Sequence, residues 1–416
     1  MVRNRVYNPI VLAACICVLL LYCVPGSPKS TSAFRTLVAR HDVCAITGKI
    51  VSTPQKQGER YAFSLEPWSA SGASGATSAA SGVLTVFMPQ APVEAHFPGR
   101  LYTAARNSIF SCDSGAIVTV TGTLTDSDTF FATRGETLGW EKGFSGYSAR
   151  FRTRCRLQFR RLLYAWGHAG GLLLSLFSGA REYTELETIV GFRNAGLSHI
   201  LALSGMHLSL VSLAAFAAGQ RLAGKKYAFL LQAAAVVLFV WFAGASPSLT
   251  RALLCSLLML GAALAGGTAP DMVVILAVSF LCHACIAPQD VHTAAFVLSY
   301  GALAGILTIG RHSDQFLSRW LPPPVASGLA ASIGAQLFTA PISLALFGSY
   351  MPIGIVATLI VSPLVTAFIF AGAFCMAICF LLPPLVPVAS GVLNIIYSAI
   401  KYTVLFFARA PAISIT

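Results

Sequence analysis

The sequence predicts a polytopic α-helical membrane protein of about nine transmembrane helices, with a small β-barrel domain inserted outside the cytoplasm. Three observations predict it. Apolar residues make up 56% of the 416 and charged residues only 10%, outside the balance of soluble domains. Uninterrupted apolar runs recur from Ser198 almost to the C-terminus. Between an apolar N-terminal run and that tail, residues 26–197 form a segment too large to be a simple loop.

The spans are expected near Pro9–Val24, Ser198–Gly219, Tyr227–Gly244, Leu249–Gly266, Met272–Pro288, Val291–Ile309, Val325–Phe347, Pro352–Leu382 and Leu385–Ala408. The eighth is long enough to be two segments. Residues 1–25 read as an uncleaved N-terminal anchor, because no small-x-small site stands at the end of the first run. A cleaved signal is the alternative, since the run is short and ends in Pro25-Gly26-Ser27. A lipoprotein site at Cys23 is disfavoured by the bulk of Tyr22. Arg3 and Arg5, then Arg221, Lys225 and Lys226, then Arg311 and Arg319 mark a cytoplasmic face and place the N-terminus inside.

Residues 26–145 read as a β domain. Cys44–Val51, Tyr61–Glu66, Val83–Phe87 and Ile117–Leu124 are short runs rich in β-branched and aromatic residues, with Gly or Pro between them. A five-stranded, oligonucleotide-binding-type (OB-like) barrel would close them. Ser69–Gly82 is almost entirely Ser, Ala, Gly and Thr and is expected to be a flexible insertion. Of the eleven cysteines, Cys44, Cys112 and Cys155 fall outside both the spans and the cytoplasm. An oxidising compartment would allow Cys44 to pair with Cys112; the alternative is buried free thiols.

Residues 146–197 contain a basic amphipathic stretch. Arg150, Arg152, Arg154, Arg156, Arg160 and Arg161 alternate with Phe151, Cys155, Phe159, Leu162 and Trp166 at helical spacing. Such a helix lies in the membrane interface, where its arginines either anchor to lipid phosphate or form a collar that attracts a polyanion. The net charge of +13 suits either partner.

The tail, residues 198–416, opens on polar groups. GLSHILALSGMHLSLV at 196–211 sets two histidines, three serines and two glycines at the start of an apolar segment. Polar side chains are costly in hydrocarbon, so they are expected to face a partner, a wet cavity or a substrate path. Ser246-Pro247-Ser248-Leu249-Thr250-Arg251 has an N-cap, a proline at the first helical position and an arginine one turn inside. Asp290 is a candidate partner for Arg251, with helix capping as its alternative role. Pro341, Pro352 and Pro363, with Gly348 and Gly354, interrupt a later apolar stretch and free carbonyls that must face protein or water.

The run at Gly196–Val211 resembles the signature of the ComEC family, the inner-membrane channel proteins of bacterial natural competence. GASPSLTRALL at Gly244–Leu254, FVLSYGALAGIL at Phe296–Leu307 and QLFTAPISLALFGSYMPIG within Ser332–Pro363 resemble further family blocks in the same order. ITGKIVSTP at Ile46–Pro54 and VTVTGTLT at Val118–Thr125 resemble the family's extracytoplasmic OB-type domain. The resemblance implies passage of single-stranded DNA from periplasm to cytoplasm, in the inner membrane of a bacterium. His199, Ser204, Gly205, His207, Pro247, Arg251 and Asp290 would line the path. It also implies an extracytoplasmic DNA receptor and a cytoplasmic helicase motor as partners; membrane lipids are expected from the basic helix, a homo-oligomer is left open, and neither cofactor nor metal is expected. Many family members continue into a metallo-β-lactamase-like domain; no HxHxDH cluster is present here, so nuclease activity is not expected. Met206 and Thr358 stand where leucine and asparagine are common in the family.

Three other readings compete. Ala202-Leu203-Ser204-Gly205 resembles the nucleophile site of rhomboid-type intramembrane proteases, with His283 or His292 as base, and requires Ser204 to reach a histidine on another helix. His199 and His207, eight residues apart, would be a sparse metal site. A small-anion transporter would need a compact midplane site between broken helices.

Overall fold

The computed structural model describes residues 8–23, 34–73, 75–95, 112–125, 128–265 and 270–414. Arg3, Arg5 and Pro25–Ser27, which carried part of the orientation and anchor reading, lie outside them. Helix α1 (Pro9–Cys23) is followed by strands β1 (Arg35–Thr36), β2 (Val43–Ile50), β3 (Gln55–Gln57), β4 (Arg60–Gly72), β5 (Thr77–Ser81) and β6 (Leu84–Pro89), the short helix α2 (Gln90–Glu94), and strands β7 (Ala116–Thr125) and β8 (Thr129–Trp140).

Five of these strands close a ring in the order β2–β4–β6–β8–β7 and back to β2. All pairings in the ring are antiparallel except β6 with β8. Alternate residues point inward, as the two-residue period of a strand demands. Ile46 and Ile50, Phe63 and Leu65, Leu84, Val86 and Met88, and Val118 and Val120 fill the core. Gly48 and Gly122 sit at register shifts where the facing strand leaves no room for a Cβ.

Ser69–Gly82 is not a flexible insertion. Ser69–Gly72 is the end of β4, Thr77–Ser81 is β5, and the two pair as a hairpin from Ser69↔Ala79 to Ser71↔Thr77. On its other edge the same end of β4 pairs with β2. Backbone ladders on both sides order this segment, so it needs little apolar side chain of its own.

The helical part follows as α3 (Phe144–Ala165), α4 (Gly167–Ser178), α5 (Leu186–Asn194), α6 (Ser198–Leu201), α7 (Gly205–Ala223), α8 (Lys225–Ala243), α9 (Pro247–Leu264), α10 (Met272–Ile286) and α11 (Ala294–Gly305). A π-helical turn over Ile306–Gly310 leads into α12 (Arg311–Leu317), then α13 (Pro323–Phe347), β9 (Ser349–Tyr350), α14 (Gly354–Leu381), α15 (Val386–Phe407) and β10 (Ile413–Ser414). Among the described residues, five helical stretches are long and apolar enough to cross a membrane: 247–264, 294–317, 323–347, 354–381 and 383–407. Pro9–Val18, Tyr227–Ala243 and Met272–Ile286 are shorter apolar helices. The eighth expected span is one continuous helix of 28 residues despite Pro363.

Helix α4 is packed inside the protein. Its Leu172, Leu173, Leu174 and Leu176 are fully buried in a core shared with α14 and α15, because this turn of sequence is apolar all round rather than on one stripe. Helices α7, α8 and α9 form a second cluster, and α1 packs with α10 and α11 in a third.

Candidate functional site

The signature run is helical at both ends and broken in the middle. Helix α6 stops at Leu201, Ser204 is extended, and α7 starts at Gly205. Ser204 and His207 form a reciprocal cap: the serine side chain accepts from the His207 amide, and His207 Nδ1 accepts from the Ser204 amide at 3.2 Å. An accepting Nδ1 puts the proton of the neutral ring on Nε2. That Nε2 is buried without a hydrogen-bond partner.

Helix α9 starts beside α7. Ser246 caps it by accepting from the Leu249 amide at 3.4 Å, and Pro247 occupies its first turn, where a missing N–H costs nothing. Ser248 Oγ donates to the Leu203 carbonyl at 2.7 Å and ties the two helix starts together. One turn further, Arg251 donates through Nη1 to the Ser299 carbonyl of α11. Its Nη2 lies 3.5 Å from where a methyl on Gly205 would stand, and its Nε is buried without a partner. The guanidinium thus lies beside the start of α7, where even a Cβ at position 205 would make only ordinary contact with it. Five of the sequence-selected residues meet here: Ser204, Gly205, His207, Pro247 and Arg251.

His199 is not part of this cluster. It is exposed on α6.

Asp290 does not pair with Arg251, and its carboxylate is not a helix cap. It takes His283 Nε2 at 3.2 Å, while His283 Nδ1 lies 3.3 Å from the Tyr300 hydroxyl, which donates to the Ser279 carbonyl at 3.0 Å. Arg251 already has the Ser299 carbonyl, so a carboxylate partner is not required. Met206 and Thr358, the two departures from the family pattern, meet Ser362 and the Gly354 carbonyl respectively.

Nothing in the geometry supports the protease reading, and His292 packs edge-on against Tyr22. The histidine within reach of Ser204 Oγ, at 3.3 Å, is His207 on the same turn, and His283 is engaged with Asp290 and Tyr300. Among the described residues, no group of three or more His, Cys, Asp or Glu is placed to hold a metal.

The six arginines of α3 divide. Arg150 and Arg154 are exposed. Arg152 is half-buried and donates to the Ser114 carbonyl at 2.7 Å. Arg156, Arg160 and Arg161 are buried and face neither lipid nor solvent. Arg156 pairs with Asp113 at 2.9 Å and Arg160 with Glu182 at 3.2 Å. Burial pushes the Arg156 guanidinium below its ordinary pKa, and Asp113 works against that shift. Sequence reading missed Asp113 and Glu182, since no local pattern pairs a lone acid with a distant basic stripe.

The Cys44–Cys112 bridge is absent, and both thiols are free. Cys44 Sγ donates to the Ser71 carbonyl at 3.4 Å within the sheet. Burial, then the Asp113 carboxylate beside it, push the Cys112 thiol well up, which keeps it protonated and unreactive.

The β domain abuts the helix starts. A methyl on Gly244, just before Ser246, would stand 2.8 Å from Thr53 Oγ1, and Trp241 Nε1 donates to Ser148 of α3 at 3.0 Å. Fold and site together define a polytopic helical membrane protein with a β domain set against a cluster of buried polar groups.

A family model described as "Competence: Competence protein" matches residues 176–416, more than half of the chain. The chain belongs to that family. It is similar to ComE operon protein 3 of Bacillus subtilis (strain 168), with 27% identity over 207 residues, 49% of this chain and 26% of that protein. No solved structure matches.

Proposed function

We propose that this chain forms the inner-membrane channel through which a single DNA strand enters the cytoplasm during natural transformation. One observation carries the reading. His207, Ser204, Ser248 and Arg251 gather where the starts of α7 and α9 meet, in an apolar helical body and next to the β domain. Buried polar groups of this kind fit a path for a charged polymer, and two helix N-termini add positive dipole ends that favour an anion.

The strand order of the β ring and its single parallel pair support an OB-type barrel, a fold suited to holding single strands. Arg221 in the last turn of α7 supports a cytoplasmic end there, which sets the α7 and α9 starts and the β domain on the periplasmic side. Exposed Arg150 and Arg154 remain as contacts for DNA or lipid phosphate. A receptor outside, a helicase motor inside and a homo-oligomeric assembly complete the scheme.

The test is uptake of fluorescent single-stranded DNA in a competent host lacking its own channel. The wild-type chain restores uptake, while correctly inserted His207→Ala and Arg251→Ala variants lose it. Absence of uptake with well-inserted wild type and the host's other uptake proteins present rejects the conduit.

A further inference from the structure

We infer that Asp290, His283 and Tyr300 form a proton-binding site inside the helical body, with Asp290 as its contact with solvent. The inference is independent of the DNA-channel reading. Its ligand is a proton, so it needs no cavity.

The proton count follows from three contacts. His283 Nε2 lies 3.2 Å from Asp290 Oδ2, His283 Nδ1 lies 3.3 Å from the Tyr300 hydroxyl, and that hydroxyl lies 3.0 Å from the Ser279 carbonyl oxygen. A carbonyl can only accept, and a phenol has one proton to give. The phenol proton therefore goes to Ser279, and His283 Nδ1 must donate to the phenol oxygen. All three contacts are hydrogen bonds when Asp290 and His283 together hold one proton more than a carboxylate beside a neutral imidazole. Either Nε2 carries that proton and donates it to Asp290, or the Asp290 carboxyl carries it and donates it to Nε2. Both placements belong to one titrating pair.

On release the proton goes to water and the ring keeps one proton of its own. With that proton on Nδ1, the Tyr300 bond survives and the Asp290 bond is lost. With it on Nε2, the Asp290 bond survives and the Tyr300 O–H turns from Ser279 to Nδ1. Either way one of the three contacts is left without a proton, so this geometry matches the filled state. The Asp290 side chain is 27% exposed while that of His283 is 0%, which makes the aspartate the point of exchange.

The surroundings leave the pair to itself. Phe296 meets the His283 ring edge-on at 4.9 Å, and Phe280 meets Tyr300 edge-on at 5.4 Å. Helix α9 brings Arg251 and Cys255 towards Tyr300, and α10 adds Cys282. Helix α1 brings Tyr22, with Cys17 beside it, and Tyr22 donates to the Val291 carbonyl and meets His292 edge-on. Of these groups Arg251 carries a permanent charge, and it is bound to the Ser299 carbonyl. Asp290 is the one acid among them. Ionisable groups inside an apolar helical body are costly and mark function. Ser299 and Tyr300 adjoin on α11, so the helix that anchors Arg251 also carries the proton site.

The experiment uses the purified full chain in detergent with 15N-labelled histidine rings, the His283 signals being assigned by their absence from His283→Gln. Protonated and bare ring nitrogens are told apart by their 15N shifts as pH rises from about 5 to about 9, and infrared difference spectra read the carboxyl group. Expected is the loss of one proton by the pair. At the acid end either both His283 nitrogens carry protons, or a carboxyl band is present that Asp290→Asn removes; at the alkaline end the ring has one proton and the band is gone. Asp290→Asn should lack the extra proton at the pH where the wild type holds it, and Tyr300→Phe should bind it about tenfold less tightly. Tyr22→Phe, outside the three contacts, should leave the step in place. If His283→Gln does not fold, the signals moved by both Asp290→Asn and Tyr300→Phe identify the ring. A His283 ring with one proton and no Asp290 carboxyl band across the whole range overturns the site, and so does a step that is identical in wild type and Asp290→Asn.

Discussion

Arg156 and Asp113 lie 2.9 Å apart with each side chain 2% exposed, the most fully buried of the ion pairs described above. Removing one partner of such a pair strands a charge in a low-dielectric interior, whereas replacing both with apolar groups removes the problem. Asp113→Ala is therefore expected to destabilise the chain by about 3–5 kcal/mol, and the double variant Asp113→Leu/Arg156→Met to recover most of the loss. Thermal unfolding of the purified protein reads both, and a double variant no better than the single one would rule this balance out. The same pair marks the limit of sequence reading at this scale. The arginine stripe was visible because helical periodicity is local, but its acceptor is 43 residues upstream, on the other side of two strands. Arg156 and Arg160 thus looked like phosphate ligands when they join α3 to the β domain and to the α4–α5 link. Ser204, Gly205, His207, Pro247 and Arg251 were legible because polar residues at the start of apolar helices have few bland explanations.

Elements were most readable where their ends carry chemistry. Ser246-Pro247 gave the start of α9 from the capping rules alone, and the structure shows that cap. The end of β4 and β5 was misread because composition reports side-chain burial and is blind to backbone pairing. Close helix crossings are hidden for a similar reason, since a glycine in a span looks alike whether or not another backbone lies against it. Gly334 of α13 faces Gly305 of α11 so closely that a Cβ on Gly334 would stand 2.6 Å from the Gly305 carbonyl oxygen. Gly334→Val should force α11 and α13 apart and cost on the order of 1–3 kcal/mol. Gly261→Ala on α9, where a Cβ meets nothing within 4 Å, serves as the control and should be neutral or slightly stabilising. Equal melting temperatures for the Gly334→Val variant and wild type in detergent would contradict the crossing.

At the scale of the molecule, composition and span length announced a helical membrane body with a β domain before any contact was known, but not which helices seal it. One clasp joins parts of the chain that sequence leaves far apart. Glu185, at the start of α5, accepts from Lys401 of α15 at 2.7 Å and from the Tyr397 hydroxyl at 2.9 Å, and its other oxygen lies 3.0 Å from His168 Nδ1. Lys401 also reaches Glu187 at 2.7 Å. The Lys401 hydrogen bond, opposed in part by burial and aided by Tyr397, holds the Glu185 carboxyl below its ordinary range. A depressed carboxyl pKa means that the unfolded chain takes up its proton first as pH falls. The stabilisation is therefore complete above the ordinary Glu value of about 4.3 and disappears as pH drops through the lower folded value. The difference in melting temperature between wild type and Glu185→Gln should accordingly be flat from neutral pH down to about 5 and close below about 4. Lys401→Gln should lower stability at neutral pH and flatten the same acid dependence, because it removes the bond that depresses the carboxyl. A gap that stays constant into the acid range would mean that Glu185 holds α5 to α15 by packing alone, and that the clasp between the ends of the helical body is not electrostatic.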